Sequence, residues 1–126
     1  MPYAYDDDNV FAKILRGEIP NNTVVETKHT LAFEDIRPQA PVHVLVIPKG
    51  KYVNFDQFAS EASDAELADF NRVVGEVIRK TGVAPDGAEG GYRLLSNAGS
   101  DGVQEVPHFH LHVVGGRNLG RMLQPG

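Results

Sequence analysis

The segment His108-Phe109-His110-Leu111-His112 places three of the chain's 5 histidines at alternate positions, with Val113-Val114 directly after. A period of two belongs to an extended strand with two unlike faces. His108, His110 and His112 then share one face, with about 6.5–7 Å between successive imidazoles. Phe109, Leu111 and Val113 share the other face, which must be covered. The chain therefore needs a sheet with one side packed on a core. A single strand histidine is an ordinary polar side chain, and His29, placed in a turn, is read that way. Three in register on one face point to chemistry instead, because imidazole gives and takes protons near neutral pH.

The remaining sequence supplies the sheet and its cover. Residues 1–7 read as a flexible acidic tail ahead of a single domain over 8–126. Asp8 is placed to cap a short helix carrying Val10, Phe11, Ile14 and Leu15, which stops at Gly17. Residues 23–27 and 30–35 read as two strands of a hairpin around Lys28-His29. Val42-His43-Val44-Leu45-Val46-Ile47 suits an interior strand buried on both faces. A connector follows, with Tyr52, Phe55 and Phe58 free to pack over the core edge. Ser63-Asp64-Ala65-Glu66 is a capping box, and Leu67, Phe70, Val73, Val74, Val77 and Ile78 mark one helical stripe down to Lys80. Gly75 within that stripe suggests a close helix contact. Residues 92–97 and 108–114 complete the strands. The expected fold is α+β, with a five-stranded, mainly antiparallel sheet and two helices.

Composition narrows the partners. The 126 residues carry 12 basic and 17 acidic side chains, a net charge of −5. That balance speaks against a nucleic-acid polymer or an anionic membrane as partner. With Cys at 0, disulfides and thiolate chemistry are excluded. No apolar run approaches the ~20 residues of a membrane span, and no signal peptide is legible, so a cytoplasmic protein is expected.

Two chemistries suit the histidine strand. His-x-His is a metal-ligand pair, although a third imidazole at i+4 on a flat strand converges poorly on one ion. Alternatively one imidazole attacks while its neighbours orient it and handle protons. Gly99-Ser100-Asp101-Gly102-Val103-Gln104 can turn backbone amides towards an anion. A phosphate beside the imidazoles would permit covalent phosphoryl or nucleotidyl transfer without a metal.

His108-Phe109-His110-Leu111-His112-Val113-Val114 resembles the signature strand of the histidine-triad (HIT) superfamily of nucleotide hydrolases and transferases. Phe11–Pro20, Asp35–His43 and Val46–Lys49 are similar to the family's first helix, ribose-side segment and central strand. Gly115-Gly116-Arg117 and the Pro125-Gly126 ending resemble its branch of histidine-triad nucleotide-binding proteins. The resemblance covers about residues 8–126. It implies a homodimer joining two sheets, no cofactor, and hydrolysis of purine nucleoside phosphoramidates, above all adenosine 5′-monophosphoramidates, through a nucleotidylated histidine. His110 would be the nucleophile, with its tautomer fixed by the carbonyl of His108. His112 would bond the phosphate or leaving nitrogen, and His43 would complete a proton network with His108. Asp35 would accept from the ribose hydroxyls. Val10, Phe11, Ile14, Phe33 and Ile36 would line the base pocket, and Asn97, Val103, Gln104 and Glu105 would lie at the phosphate. The product or substrate partner is then a purine nucleoside monophosphate or phosphoramidate.

Three departures from the family pattern bear on this reading. Asn9 and Ala12 occupy the positions of a Cys-x-x-Cys zinc site, so that site is absent. Glu105 puts a carboxylate where animal members carry Ser, which opposes a direct phosphate contact. The ending Met122-Leu123-Gln124-Pro125-Gly126 differs from the animal tail, so leaving-group preference is expected to differ. Two other functions use the same residues: a metal-binding protein built on the three strand histidines, and a nucleotide-binding regulator whose catalysis is incidental.

Overall fold

The computed structural model describes residues 3–123, and the Gln124-Pro125-Gly126 ending lies outside them. Strands β1 (Thr23–Glu26), β2 (Thr30–Glu34), β3 (Val42–Pro48), β4 (Tyr92–Leu95) and β5 (Leu111–Gly115) form one sheet. Their order is β1-β2-β3-β5-β4, and each neighbouring pair is antiparallel. The continuous apolar run thus becomes β3, the central strand, in which every residue from His43 to Pro48 is buried. Its two neighbours satisfy its backbone from both sides, as an interior strand requires.

Three helices accompany the sheet: α1 (Val10–Leu15), α2 (Phe55–Glu61) and α3 (Asp64–Lys80). The expected capping box is formed at Ser63 and Glu66, and α3 buries Phe70, Val73, Val74 and Val77. The connector expected over 51–62 contains the additional helix α2. Asn54 accepts from the Gln57 amide, satisfying an orphan donor of the first turn, while the Gln57 side chain reaches back to accept from the Val53 amide just before the cap. The cap of α1 is Asn9, which accepts from the Ala12 amide, and not Asp8. Gly75 makes no close helix contact among the described residues, since a Cβ there would meet only the Arg79 guanidinium of its own helix.

The two faces of the sheet are covered differently. On one face Phe109 packs between Phe58 of α2 and Phe70 of α3, with ring centroids 5.1 Å away in each case. Val44, Val46, Val73, Val77 and Val113 extend this core. A buried aromatic side chain of this kind contributes about 2–3 kcal/mol from apolar area alone. On the other face Phe11 of α1 joins Leu31, Phe33, Leu45 and Ile47 in a smaller cluster. No helix among the described residues is long and apolar enough to cross a membrane.

Candidate active site

Regular pairing of β5 begins at Leu111, opposite Val46, so the first part of the histidine segment lies ahead of the ladder rather than in it. Other contacts hold it. The Phe109 amide donates to the Tyr52 carbonyl at 2.7 Å, the His108 amide to Val106 at 2.8 Å, and Ser96 Oγ to the His110 carbonyl at 2.7 Å. The alternation survives: Phe109 enters the aromatic core while the imidazoles occupy the opposite side.

His108 is completely buried. Its Nε2 lies 2.8 Å from the Pro48 carbonyl and its Nδ1 2.6 Å from the Tyr5 hydroxyl. A carbonyl only accepts, so Nε2 carries the hydrogen and Nδ1 accepts from Tyr5. Burial, with the neighbouring His110 charge acting the same way, pushes the His108 pKa down to about 4 against the raising effect of the Pro48 bond.

His110 Nδ1 lies 2.7 Å from the carbonyl of His108, to which it must donate. The neutral ring then presents a bare Nε2. Phe11 stands edge-on to it with ring centroids 4.9 Å apart. Burial lowers the His110 pKa, and the carboxylates of Asp35 and Glu105 oppose that shift.

His112 sits inside the ladder, opposite Leu45 of β3 and Leu95 of β4. Its Nδ1 lies 2.9 Å from Nε2 of His43. The Gln39 amide donates to His43 Nδ1 at 3.0 Å, which places the His43 hydrogen on Nε2. His112 Nδ1 must then accept, and its own hydrogen resides on Nε2. That Nε2 is buried without a partner among the described residues. Burial pushes the His112 pKa down to about 4, with His110 and His43 adding to the effect and Asp35 opposing it. His43 is lowered by burial as well, against Asp35. His43 therefore joins His112, not His108 as the resemblance implied. The reason is register: His43 pairs with Val114 and Leu45 with His112, so the two imidazoles are diagonal neighbours on one face.

Asp35 is half-buried. Its Oδ1 accepts from the Arg37 amide at 2.8 Å, closing a turn, and its Oδ2 lies 3.4 Å from His43 Nε2. Asp35, His43 and His112 each bring one ligating atom within 4.8 Å of the others, a set that could hold a cation. The three strand histidines make no such set, since both ring nitrogens of His108 are taken by Tyr5 and Pro48.

The loop before the strand departs from the expected amide cradle. The Val103 and Gln104 amides donate back to Ser100 and Gly99. The Gln104 side-chain amide donates to the Val53 and Val106 carbonyls at 2.6 and 3.0 Å, so its hydrogens point into the protein and not at a ligand. Val103 has φ 57, a left-handed conformation, and is 67% exposed. Glu105 is exposed and near enough to act on the His110 charge. Asn97 lines a cavity of about 350 Å³ together with His43, His112, Arg93 and Arg117. Of the expected base-pocket residues, Phe11 and Phe33 are buried with Ile14 packed against them. Val10 and Ile36 stand apart from that cluster, 39% and 87% exposed.

Residues 3–8 make contacts that the reading of a loose tail does not include. Tyr3 donates to Asp56 at 2.7 Å, Tyr5 reaches His108, and Asp7 pairs with Lys51 at 2.7 Å. Nothing in the acidic composition of that segment signalled a role for Tyr5. The Pro48 carbonyl and the Gln39 amide were equally illegible, because backbone groups leave no mark in a sequence.

An all-antiparallel sheet with alternating imidazoles along and just ahead of β5, and a fourth histidine reaching over from β3, is the architecture of a histidine-triad protein. The family model described as HIT domain matches residues 16–119, and the chain belongs to that family. It is 58% identical over 126 residues, the whole of both chains, to a 13.2 kDa HIT-like protein of Azospirillum brasilense. It is 39% identical over 117 residues to the purine nucleoside phosphoramidase of Escherichia coli, covering 93% of this chain and 94% of that one. Among solved structures, the histidine triad nucleotide-binding protein of Candida albicans superposes with a TM-score of 0.80 at 33% identity, covering 94% of this chain and 82% of its own.

Proposed function

We propose that the protein is a cytoplasmic hydrolase of purine nucleoside 5′-phosphoramidates, adenosine 5′-monophosphoramidates foremost, in the nucleotide-binding branch of its family. The observation that carries this reading is the pairing of two opposite tautomers. His110 offers a bare Nε2, and His112, with its ring centroid 5.1 Å away, offers an unpartnered Nε2–H. The lone pair on His110 attacks the α-phosphorus and the P–N bond breaks. His112 donates a hydrogen bond to the departing nitrogen, which takes its proton from solvent. Water then cleaves the nucleotidyl-histidine, releasing the nucleoside monophosphate and restoring neutral His110. Asp35 Oδ2 accepts from the ribose hydroxyls, and the exposed Val10 and Ile36 offer a purine apolar contact outside the Phe11 cluster. Asn97 faces the leaving group in the cavity it shares with His112, and Glu105 stays turned from the phosphate. The name and 39% identity of the Escherichia coli relative support the choice of substrate.

His110→Ala is expected to abolish hydrolysis of an adenosine phosphoramidate while leaving nucleotide binding in place. Undiminished turnover by that variant would sink the proposal, and an acid-labile nucleotide adduct trapped on the wild-type chain would support it.

The working molecule is proposed to be a homodimer. Strand β4 ends the sheet and leaves Tyr92, Leu94 and Leu95 exposed, an unblunted edge of the kind that pairs with another strand. A monomeric mass in solution at micromolar concentration would contradict this.

A further inference from the structure

We propose that Tyr5 is a positioning residue for the reaction, acting on His110 through His108. The inference rests on the hydrolase reading, but its structural half can be judged without it. Residues 108–110 precede the regular pairing of β5, so the peptide carrying the His108 carbonyl that orients His110 is held on its backbone by a single bond, from the Phe109 amide to Tyr52. The His108 ring adds two more anchors, Pro48 at the end of β3 and the Tyr5 hydroxyl. A ring held at both nitrogens has one tautomer and one orientation, and the residue's backbone inherits that restraint. Tyr5 also closes His108 off from solvent, standing edge-on to it with ring centroids 5.6 Å apart. Around Tyr5 the segment is itself tied down. Asp7 pairs with Lys51, whose Nζ lies 5.9 Å from the centre of the Tyr5 ring, and the Asp7 carbonyl accepts from Arg16. The segment before α1 thus forms the back wall of the site, and its hydroxyl supplies the hydrogen that His108 Nδ1 cannot obtain from water.

The test is Tyr5→Phe, which keeps the ring and removes only the hydroxyl, with Tyr3→Phe as the control. Tyr3→Phe cuts the adjacent Tyr3–Asp56 bond without touching His108. Tyr5→Phe is expected to lower kcat about tenfold with KM little changed, as a small misplacement of a reacting group does. In the free protein it should also shift the ¹⁵N resonance of His108 Nδ1 and move those of the His110 ring, while Tyr3→Phe changes neither. Wild-type kcat with unmoved His110 signals in Tyr5→Phe would overturn the proposal. So would an equal loss of kcat in Tyr3→Phe, which would reduce Tyr5 to a tether. If the wild-type chain hydrolyses no phosphoramidate, the hydrolase reading fails, and the substrate-free His110 signals still decide whether Tyr5 positions that ring.

Discussion

His108 and His112 stand two residues to either side of His110, on the same face of the same segment, yet their surroundings are opposite. His108 lies ahead of the ladder, fully buried, with both nitrogens bonded. His112 lies within the ladder, with one nitrogen bonded to His43 and the other left bare-handed. Alternation determines which way an imidazole faces. What it can do is set by the atoms that meet it, and those come from distant parts of the chain. An imidazole with no spare nitrogen holds structure, whereas one with a spare N–H is ready for a ligand.

Exchanging each for alanine is the largest test of that contrast. His112→Ala is expected to lower kcat by about 10²–10³, the range for losing one hydrogen-bond donor to the reacting group, with a smaller loss of stability than His108→Ala. His108→Ala should do the reverse in weight. It leaves a cavity and strips the Tyr5 hydroxyl and Pro48 carbonyl of their partner, a destabilisation of about 2–4 kcal/mol, with the smaller rate loss of the two. Urea titrations and steady-state kinetics on the same preparations would break the contrast if the two variants changed places.

Acid is the next lever. His108 titrates at about 4 in the folded chain against 6.5 for the free side chain. The folded pKa is the lower one, so the unfolded chain takes up the proton first. The contribution of a neutral His108 is therefore whole above about pH 6.5 and is lost as pH falls towards about 4. That depression corresponds to about 3 kcal/mol. His112, pushed down to about 4 as well, adds to the loss over the same window, so stability measured at pH 7.5 and 4.5 should fall by at least an amount of that order, with the His108 ring still neutral by NMR at pH 5. A His108 ring charged at pH 5 in the folded protein would contradict the account. Activity should hold somewhat below pH 6.5, because the burial that lowers the His110 pKa keeps its attacking nitrogen free.

The smallest effect is expected away from both imidazoles. Val103 holds φ 57, a conformation that costs a branched residue about 1–2 kcal/mol. Glycine removes that strain but gains about 0.5–1 kcal/mol of chain entropy to lose on folding. Val103→Gly should thus stabilise by no more than about 1.5 kcal/mol. A clear drop in melting temperature would show that the valine side chain has a partner of its own.

Much of this was legible in the sequence wherever a pattern is local. The imidazole face, the capping box at Ser63, the hairpin around Lys28-His29 and the buried run of β3 each follow from residues a few positions apart. Helix α2 was missed although Asn54 and Gln57 carry a capping signal, because its 7 residues are too few to show a stripe. For the candidate site, the sequence shows which side chains share a face more than which atoms each one meets. His43 was recognised but assigned the wrong partner, since only strand register decides between His108 and His112. The Gln104 amide was aimed at a phosphate because nothing local reveals the Val53 carbonyl that takes it. Tyr5 was unreadable for the same reason: its partner is 103 positions away.

Strand β3 touches both contrasting imidazoles, one near each end, through His43 towards His112 and through the carbonyl of Pro48 towards His108. It therefore works as a gauge block. The spacing between those two contacts is built into a single stretch of extended backbone, with no hinge or loop along it to absorb an error. Adding or deleting one residue there would turn His43 to the far side of the sheet and displace the Pro48 carbonyl in the same stroke. This segment therefore has little freedom to change length.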